Sequence, residues 1–248
     1  MRDRMKDFLE QLPSLIARVL EVCIQIGEEE NLSIFTVGGF VRDFLLGIRN
    51  WDIDLVVESG DFKRGYRFAQ RLAERLKGRA KFHLGFGTAV ILFKYRNREM
   101  RMDVASARKE RYKKPGVLPQ VSPATLEEDL RRRDFSINAM AIALSKQERG
   151  RLIDPFSGKK DLRAKRIRVL HNLSFVEDPT RILRAVRFAV RYDFHIERKT
   201  KRLLREAVRE GRLAGLKSKR IQKEIELILK EKAPMKVFSA LLHLTAGI

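Results

Sequence analysis

Residues 37–57 read VGGFVRDFLLGIRNWDIDLVV. The run Ile53-Asp54-Leu55-Val56-Val57 has the apolar, β-branched texture of a buried strand, yet Asp52 and Asp54 stand one residue apart within it. Side chains at i and i+2 of a strand leave the same face. The two carboxylates therefore project together, while Ile53 and Leu55 point the other way. Charges so placed repel each other unless a cation lies between them. A hard divalent ion such as Mg2+ suits the position, because it takes oxygen ligands and keeps places open for phosphate. The competing structural reading has Asp52 closing a turn and Asp54 pairing with a surface arginine.

What lies upstream favours the metal. Gly38 and Gly39 follow the strand-like Ile34–Val37 and precede the helix-like FVRDFLL. Glycines there let backbone approach a phosphate, and a helix N-terminus favours its charge. Arg42 falls in the first turn of that helix, where it can add a side-chain contact to a triphosphate. Asp103, in REMRMDVAS, ends another strand-like run and offers a third carboxylate. This order of parts makes chemical sense as metal-assisted nucleotidyl transfer, with two ions lowering the pKa of an attacking hydroxyl and stabilising the leaving pyrophosphate.

Composition agrees. The 248 residues hold 53 Lys+Arg against 32 Asp+Glu, a formal net charge of +21. Such a surface attracts polyanions, of which nucleic acid is the commonest. The single cysteine, Cys23, excludes an internal disulfide and a cysteine-based zinc site, and the four histidines show no metal-ligand spacing. No run reaches the roughly 20 apolar residues of a membrane span, and the N-terminus lacks a signal-peptide core. The expectation is a soluble, reducing, cytoplasmic setting with no membrane partner.

Along the chain, helical spacing of apolar residues predicts a helix over 5–27 and another over 61–76, with strands at 34–37, 53–57, 81–84, 89–95 and 100–104. The region 105–123 contains RKERYKKPGVLPQVSP, with three prolines and no period, and reads as a mobile loop. A short strand at 167–170 is expected to complete the sheet. Helices are expected over 125–131, 172–192, 197–209 and 218–231. The apolar end, MKVFSALLHLTAGI, reads as the start of further structure, so that the chain would be a fragment of a longer protein.

At this point a resemblance emerges. GGFVRD followed by DID resembles the signature of the nucleotidyltransferase superfamily shared with DNA polymerase beta. LRRRDFSINAMAI (130–142), LIDPFSGKKDL (152–162), EDPTRILRAVRFA (177–189) and LKSKRIQKEIELIL (216–229) resemble class II tRNA nucleotidyltransferases and bacterial poly(A) polymerases. The similarity runs from about residue 34 to 230. It implies an α+β head with a mixed five-stranded sheet at 31–171, then an all-α neck at 172–248 that is cut before the family's body and tail. Residues 1–30 would be a helical extension leading from an upstream domain. Asp52 and Asp54 are implied as ligands of two Mg2+ ions and Asp103 as the supporting carboxylate. Gly38, Gly39 and Arg42 are implied at the triphosphate. Arg133, Asp134 and Asn138 are implied near ribose and phosphates, and Asp178 and Arg181 as the pair that reads the base. Arg184 and Arg187 are implied as further nucleotide-binding arginines. The substrates implied are CTP and/or ATP and the 3′ end of a tRNA acceptor stem. CCA-, CC-, A- and poly(A)-adding activities all remain open, and a non-catalytic RNA-binding module is the alternative of another class.

The residues support these roles independently. Asp178-Pro179 reads as an N-cap followed by a proline at the first helical position. Arg181, Arg184, Arg187 and Arg191 share one broad side of the following helix, without interleaved acids. A solvated face normally mixes signs. An Asp–Arg pair also explains base choice. Cytosine and adenine both present an amino donor beside a ring-nitrogen acceptor, which match carboxylate and guanidinium. Uracil and guanine would leave these groups mispaired at a cost of a few kcal/mol. The basic loop at 105–123 matches a flexible family segment linked to the switch from C to A addition. The basic–apolar text of 197–231 suits contact with RNA backbone.

Overall fold

The computed structural model describes residues 8–95, 98–113, 118–145, 147–213 and 219–245. The chain forms two compact units. The first comprises residues 1–110, 121–133 and 138–156; the second comprises 111–120, 134–137 and 157–248.

In the first unit, α1 (Ser14–Glu30) leads into β1 (Ser33–Val37), α2 (Gly39–Leu45), β2 (Ile53–Glu58), α3 (Phe62–Arg75), β3 (Arg79–His83), β4 (Thr88–Tyr95) and β5 (Arg98–Ser106). Helix α1 begins at Ser14, not at 5, because Pro13 sits at its entry; residues 5–7 of the expected helix lie outside those described. Leu15, Ile16, Val19, Leu20, Cys23, Ile24 and Ile26 form its buried side. Helix α3 is capped by Asp61, whose carboxylate accepts from Lys63 N at 2.9 Å. It buries Phe68, Ala69, Leu72 and Ala73. At Gly65 the helix closes on β5: a Cβ there would lie 2.0 Å from Ser106 Oγ.

The proline-rich region expected as a loop carries β6 (Arg108–Arg111) and β7 (Gln120–Pro123), which pair in a ribbon of their own. Charged and proline-rich text hides such a ribbon, since it has no apolar face to bury. Residues 114–117 lie outside the described part. Helix α4 (Leu126–Arg131) starts with a capping box between Thr125 and Glu128. Strands β8 (Ala141–Ala143) and β9 (Leu152–Ile153) follow. The sheet is mixed, in the order β3-β4-β5-β2-β1-β8-β9, with β2 and β5 parallel. It has seven strands where five were expected, because β8 and β9 are too short to show a period of two. Phe40, Leu55, Phe68, Ile91 and Met102 are fully or almost fully buried in this unit, each contributing about 1.5–3 kcal/mol through the apolar area removed from water.

The second unit holds α5 (Gly158–Arg163), β10 (Arg166–Ile167), α6 (Ser174–Glu177), α7 (Thr180–Tyr192), β11 (His195–Ile196), α8 (Arg198–Arg209), α9 (Lys219–Leu229) and α10 (Pro234–Thr245). Strand β10 does not complete the main sheet as expected; it pairs in parallel with β11. The helix expected over 172–192 is broken in two. Asp178 is extended (φ −136°, ψ 92°), and Pro179, without an N–H, starts the next helical turn. Phe135, Phe175, Ile182, Val186, Leu204 and Ile228 are buried here. Among the described residues no helix is long and apolar enough to cross a membrane.

Candidate active site

In the first unit the sheet register settles the geometry of the carboxylates. Asp54 of β2 and Asp103 of β5 are cross-strand partners in the parallel ladder. Asp52 lies one residue before β2, is exposed, and donates its backbone N–H to Asn50 Oδ1 at 2.8 Å. Asp54 is partly buried. Burial raises its carboxyl most; Arg133 opposes, Asp103 and Asp52 push it up again, and it comes to about 6. Asp103 meets Arg101 at 2.9 Å in an exposed ion pair.

Gly38 faces this group. Its φ of +69° lies in the region that favours glycine. A Cβ there would come within 2.8 Å of Arg133 Nη1 and 3.6 Å of Asp54 Oδ2. Gly39 opens α2, and Arg42 is held three residues on. Arg42 Nε and Nη2 donate to the two oxygens of Asp43 at 2.8 and 3.0 Å, and Nη1 donates to Asn138 Oδ1 at 2.6 Å. Arg42 is 5% exposed, so this clamp fixes its position firmly. Arg133 is held by Asp129, which also takes Arg132 at 2.7 Å. Burial works to raise Asp129, but the two arginines outweigh it and hold the carboxyl below its usual range. Arg133 Nε is buried without a hydrogen-bond partner among the described residues.

Among the described residues no group of three or more His, Cys, Asp or Glu side chains is disposed to hold a metal ion. Mg2+, however, is commonly held by one or two carboxylates together with substrate phosphates. Two hard-oxygen donors, one of them pushed toward protonation by burial and like charge, fit that ion.

The second unit carries the other expected residues. Asp178 Oδ1 accepts from Thr180 N at 3.1 Å and Thr180 Oγ1 at 2.6 Å, the capping role expected of it. Its Oδ2 pairs with Arg220 of α9. Arg181 is 4% exposed and donates to Ser174 Oγ at 2.8 Å. Asp134 pairs with Arg184 at 2.7 Å and accepts from Phe135 N. The neighbours Arg133, Asp134 and Asn138 thus have separate partners: Asp129, Arg184 and Arg42.

The acids missing from the arginine face of α7 are supplied from elsewhere. Glu224 of α9 takes Arg184 at 2.8 Å and Arg187 at 3.0 Å. Glu231 takes Arg187 at 3.3 Å and Arg191 at 2.6 Å. Burial works against the charge of Arg184, yet Asp134 and Glu224 hold its proton more tightly than usual. Arg187, 3% exposed, lies within this network and over the Phe188 ring. Asp43, Asp129, Arg220, Glu224 and Glu231 were not singled out from sequence. Only the helical spacing of LKSKRIQKEIELIL pointed to Arg220 and Glu224, by marking a helix with one face to bury; Glu231 lies two residues beyond that stretch.

The chain is similar to known proteins over most of its length. Residues 34–168 match the family model described as the poly A polymerase head domain. The chain is 48% identical over 225 residues to the A-adding tRNA nucleotidyltransferase of Geobacter sulfurreducens, covering 91% of this chain and 25% of that protein. It is 41% identical over 227 residues to the A-adding tRNA nucleotidyltransferase of Halalkalibacterium halodurans, covering 90% of this chain and 52% of that one. Among solved structures, the CCA-adding enzyme in its apo form II is 45% identical with a TM-score of 0.87, covering 96% of this chain and 55% of that one. The Thermotoga maritima CCA-adding enzyme complexed with tRNA is 43% identical with a TM-score of 0.82, covering 96% and 53%. The chain thus spans from a quarter to about half the length of these relatives. With more than half of its own residues inside the matched model, the chain belongs to the poly(A) polymerase head-domain family.

Proposed function

We propose that this chain adds nucleotides without a template, A and/or C from ATP and CTP, to the 3′ end of tRNA in the cytoplasm. The observation that carries the reading is the row of carboxylates. Asp54 and Asp103 are register partners, Asp52 stands two residues before Asp54, and Gly38 and Arg133 lie against them. We take 31–171 as the nucleotidyl-transferring head, 172–248 as the base-reading neck and 1–30 as a helical extension. Relatives named for A addition support ATP as the first substrate to test. The family's own description supports a second reading, a poly(A) polymerase.

In this reading Asp52 and Asp54 hold the metal. Held by these carboxylates, Mg2+ would neutralise triphosphate charge and lower the pKa of the attacking 3′-hydroxyl. Gly38 and Gly39 let the phosphates approach the backbone, and the guanidinium of Arg133 meets their charge. Arg42, with Asn138 and Asp43 fixing it, presents a cation in one orientation, so little order is lost on binding. Asp103 accepts the hydrogen of the RNA hydroxyl and aims its oxygen. Asp178 accepts the amino group of adenine or cytosine, and Arg181 donates to the adjacent ring nitrogen. Asp134, Glu224 and Arg220 act at one remove, by holding Arg184 and Asp178.

The test is incorporation by the parent chain and Arg181→Ala with each nucleoside triphosphate in turn. The reading expects ATP and/or CTP to be used by the parent, and discrimination against GTP and UTP to fall at least ten-fold in the variant. Unchanged selectivity would mean that the base is read elsewhere.

A further inference from the structure

The carboxylates do not end the working face of the sheet. Helix α3 packs on one side of β3, β4 and β5. Ala89, Ile91, Phe93, Met102 and Val104 are buried, while Arg79, Lys81, Leu92, Lys94 and Arg101, of the opposite alternation, are exposed. The registers arrange that open side into rows. Lys81 pairs with Val90, Val90 with Asp103, and Asp103 with Asp54, so one row crosses four strands from a lysine to the catalytic carboxylate. The neighbouring row is Arg79, Leu92 and Arg101. At about 4.8 Å per strand, Lys81 stands about 14 Å from Asp54.

We propose that this strip of β3–β5 seats the last few nucleotides of the RNA strand whose 3′-hydroxyl reacts. Phosphates lie on Arg79, Lys81 and Arg101, and a base or sugar face lies on Leu92 and Val90. The proposal rests on the function proposed above and names the part of that site that takes the RNA. Three observations favour RNA as the occupant. The strip is cationic where a phosphate backbone would run. It is continuous, residue by residue, with Asp103 and Asp54. And Leu92, on a strand with neighbours on both sides, is 53% exposed amid these cations. Protection of an exposed sheet edge accounts for cations on β3, but not for Leu92 on β4 or for Arg101 beside Asp103. The Arg101–Asp103 pair is exposed; such a pair exchanges partners readily, so Arg101 can turn to a phosphate and leave Asp103 to the hydroxyl.

The test uses the 248-residue chain and a single-stranded RNA ending in CC, with 4-thiouridine one and two nucleotides before that end. Irradiation should give adducts within residues 79–94 or 98–103. In a binding titration, Arg79→Ser with Lys81→Ser should weaken RNA binding about ten-fold. The pair should also lower the magnitude of the salt slope by about 1.4, two cations at about 0.7 each. A matched pair on α3, Lys63→Ser with Arg67→Ser, both exposed on the helix that covers the other side of the sheet, should leave the adduct position unchanged. Adducts confined to other segments, no measurable RNA binding, or weakened ATP binding with RNA binding intact would each overturn the proposal. Neither measurement needs turnover: failure of the parent to incorporate nucleotide while the adducts form would sink the catalytic reading and leave the RNA strip standing.

Discussion

Asp54→Asn should stabilise the chain at alkaline pH in the absence of divalent metal. The Asp54 carboxyl is raised from 3.8 to about 6, chiefly by burial. Between those values the folded chain keeps a proton that the unfolded chain has released, so stability falls as pH rises through that window. At about 1.4 kcal/mol per pH unit the full effect would be about 3 kcal/mol. Asp54 retains some solvent contact, which brings the expectation to about 2 kcal/mol. Asparagine keeps the shape and cannot ionise, so it escapes the loss. For a chain of this size 1 kcal/mol moves the melting temperature by about 2–4 °C. About two-thirds of the expected effect falls between pH 4.5 and pH 8, so the gap between variant and parent should widen by about 3–5 °C over that range, read by thermal melts in a chelator. Adding Mg2+ at pH 8 should raise the parent and leave the variant nearly unmoved. A gap that is the same at both pH values, or a variant less stable than the parent at pH 8, would refute the reasoning.

Two other substitutions probe the supports of the site. Gly38→Ala meets both a φ of +69° and Arg133 Nη1 at 2.8 Å; it should cost about 1–2 kcal/mol in denaturant melts and lower incorporation at least ten-fold, and wild-type turnover would remove Gly38 from the site. Glu224→Ala leaves Arg184 and Arg187 without their shared acid; a loss of about 3 kcal/mol is expected from chemical denaturation, and a loss under 1 kcal/mol would mean that the network is not structural.

The residues that touch substrate in this account were legible in the sequence, and the residues that hold them were not. Asp52, Asp54, Gly38 and Arg42 announce themselves by breaking local rules: charges in a strand, paired glycines before a helix. Asp129, by contrast, lies inside a capped acidic helix start where any carboxylate looks ordinary, and only the fold reveals that it is buried under Arg132 and Arg133. Glu224 likewise reads as one more solvated acid until α9 packs on α7 and brings it to the arginine face. Strand register was out of reach for the same reason. The periodicity of REMRMDVAS marks a strand, but that Asp103 faces Asp54 follows from the parallel pairing of β2 with β5, a contact between residues 49 positions apart. Short elements such as β8, β9 and α5 carry too few residues to show any period.

The most direct measurement is addition with Mg2+ to three tRNA transcripts, ending before CCA, after C and after CC, offered each nucleoside triphosphate alone and CTP with ATP. The account predicts template-independent addition of A and/or C, stopping at the completed CCA end and absent in Asp54→Ala. CCA on the first transcript, CC alone, or a single A on the third would assign the step performed. Long A tails on any RNA would favour the second reading, a poly(A) polymerase. Incorporation of GTP and UTP as readily as ATP, or turnover that survives Asp54→Ala, would contradict the account.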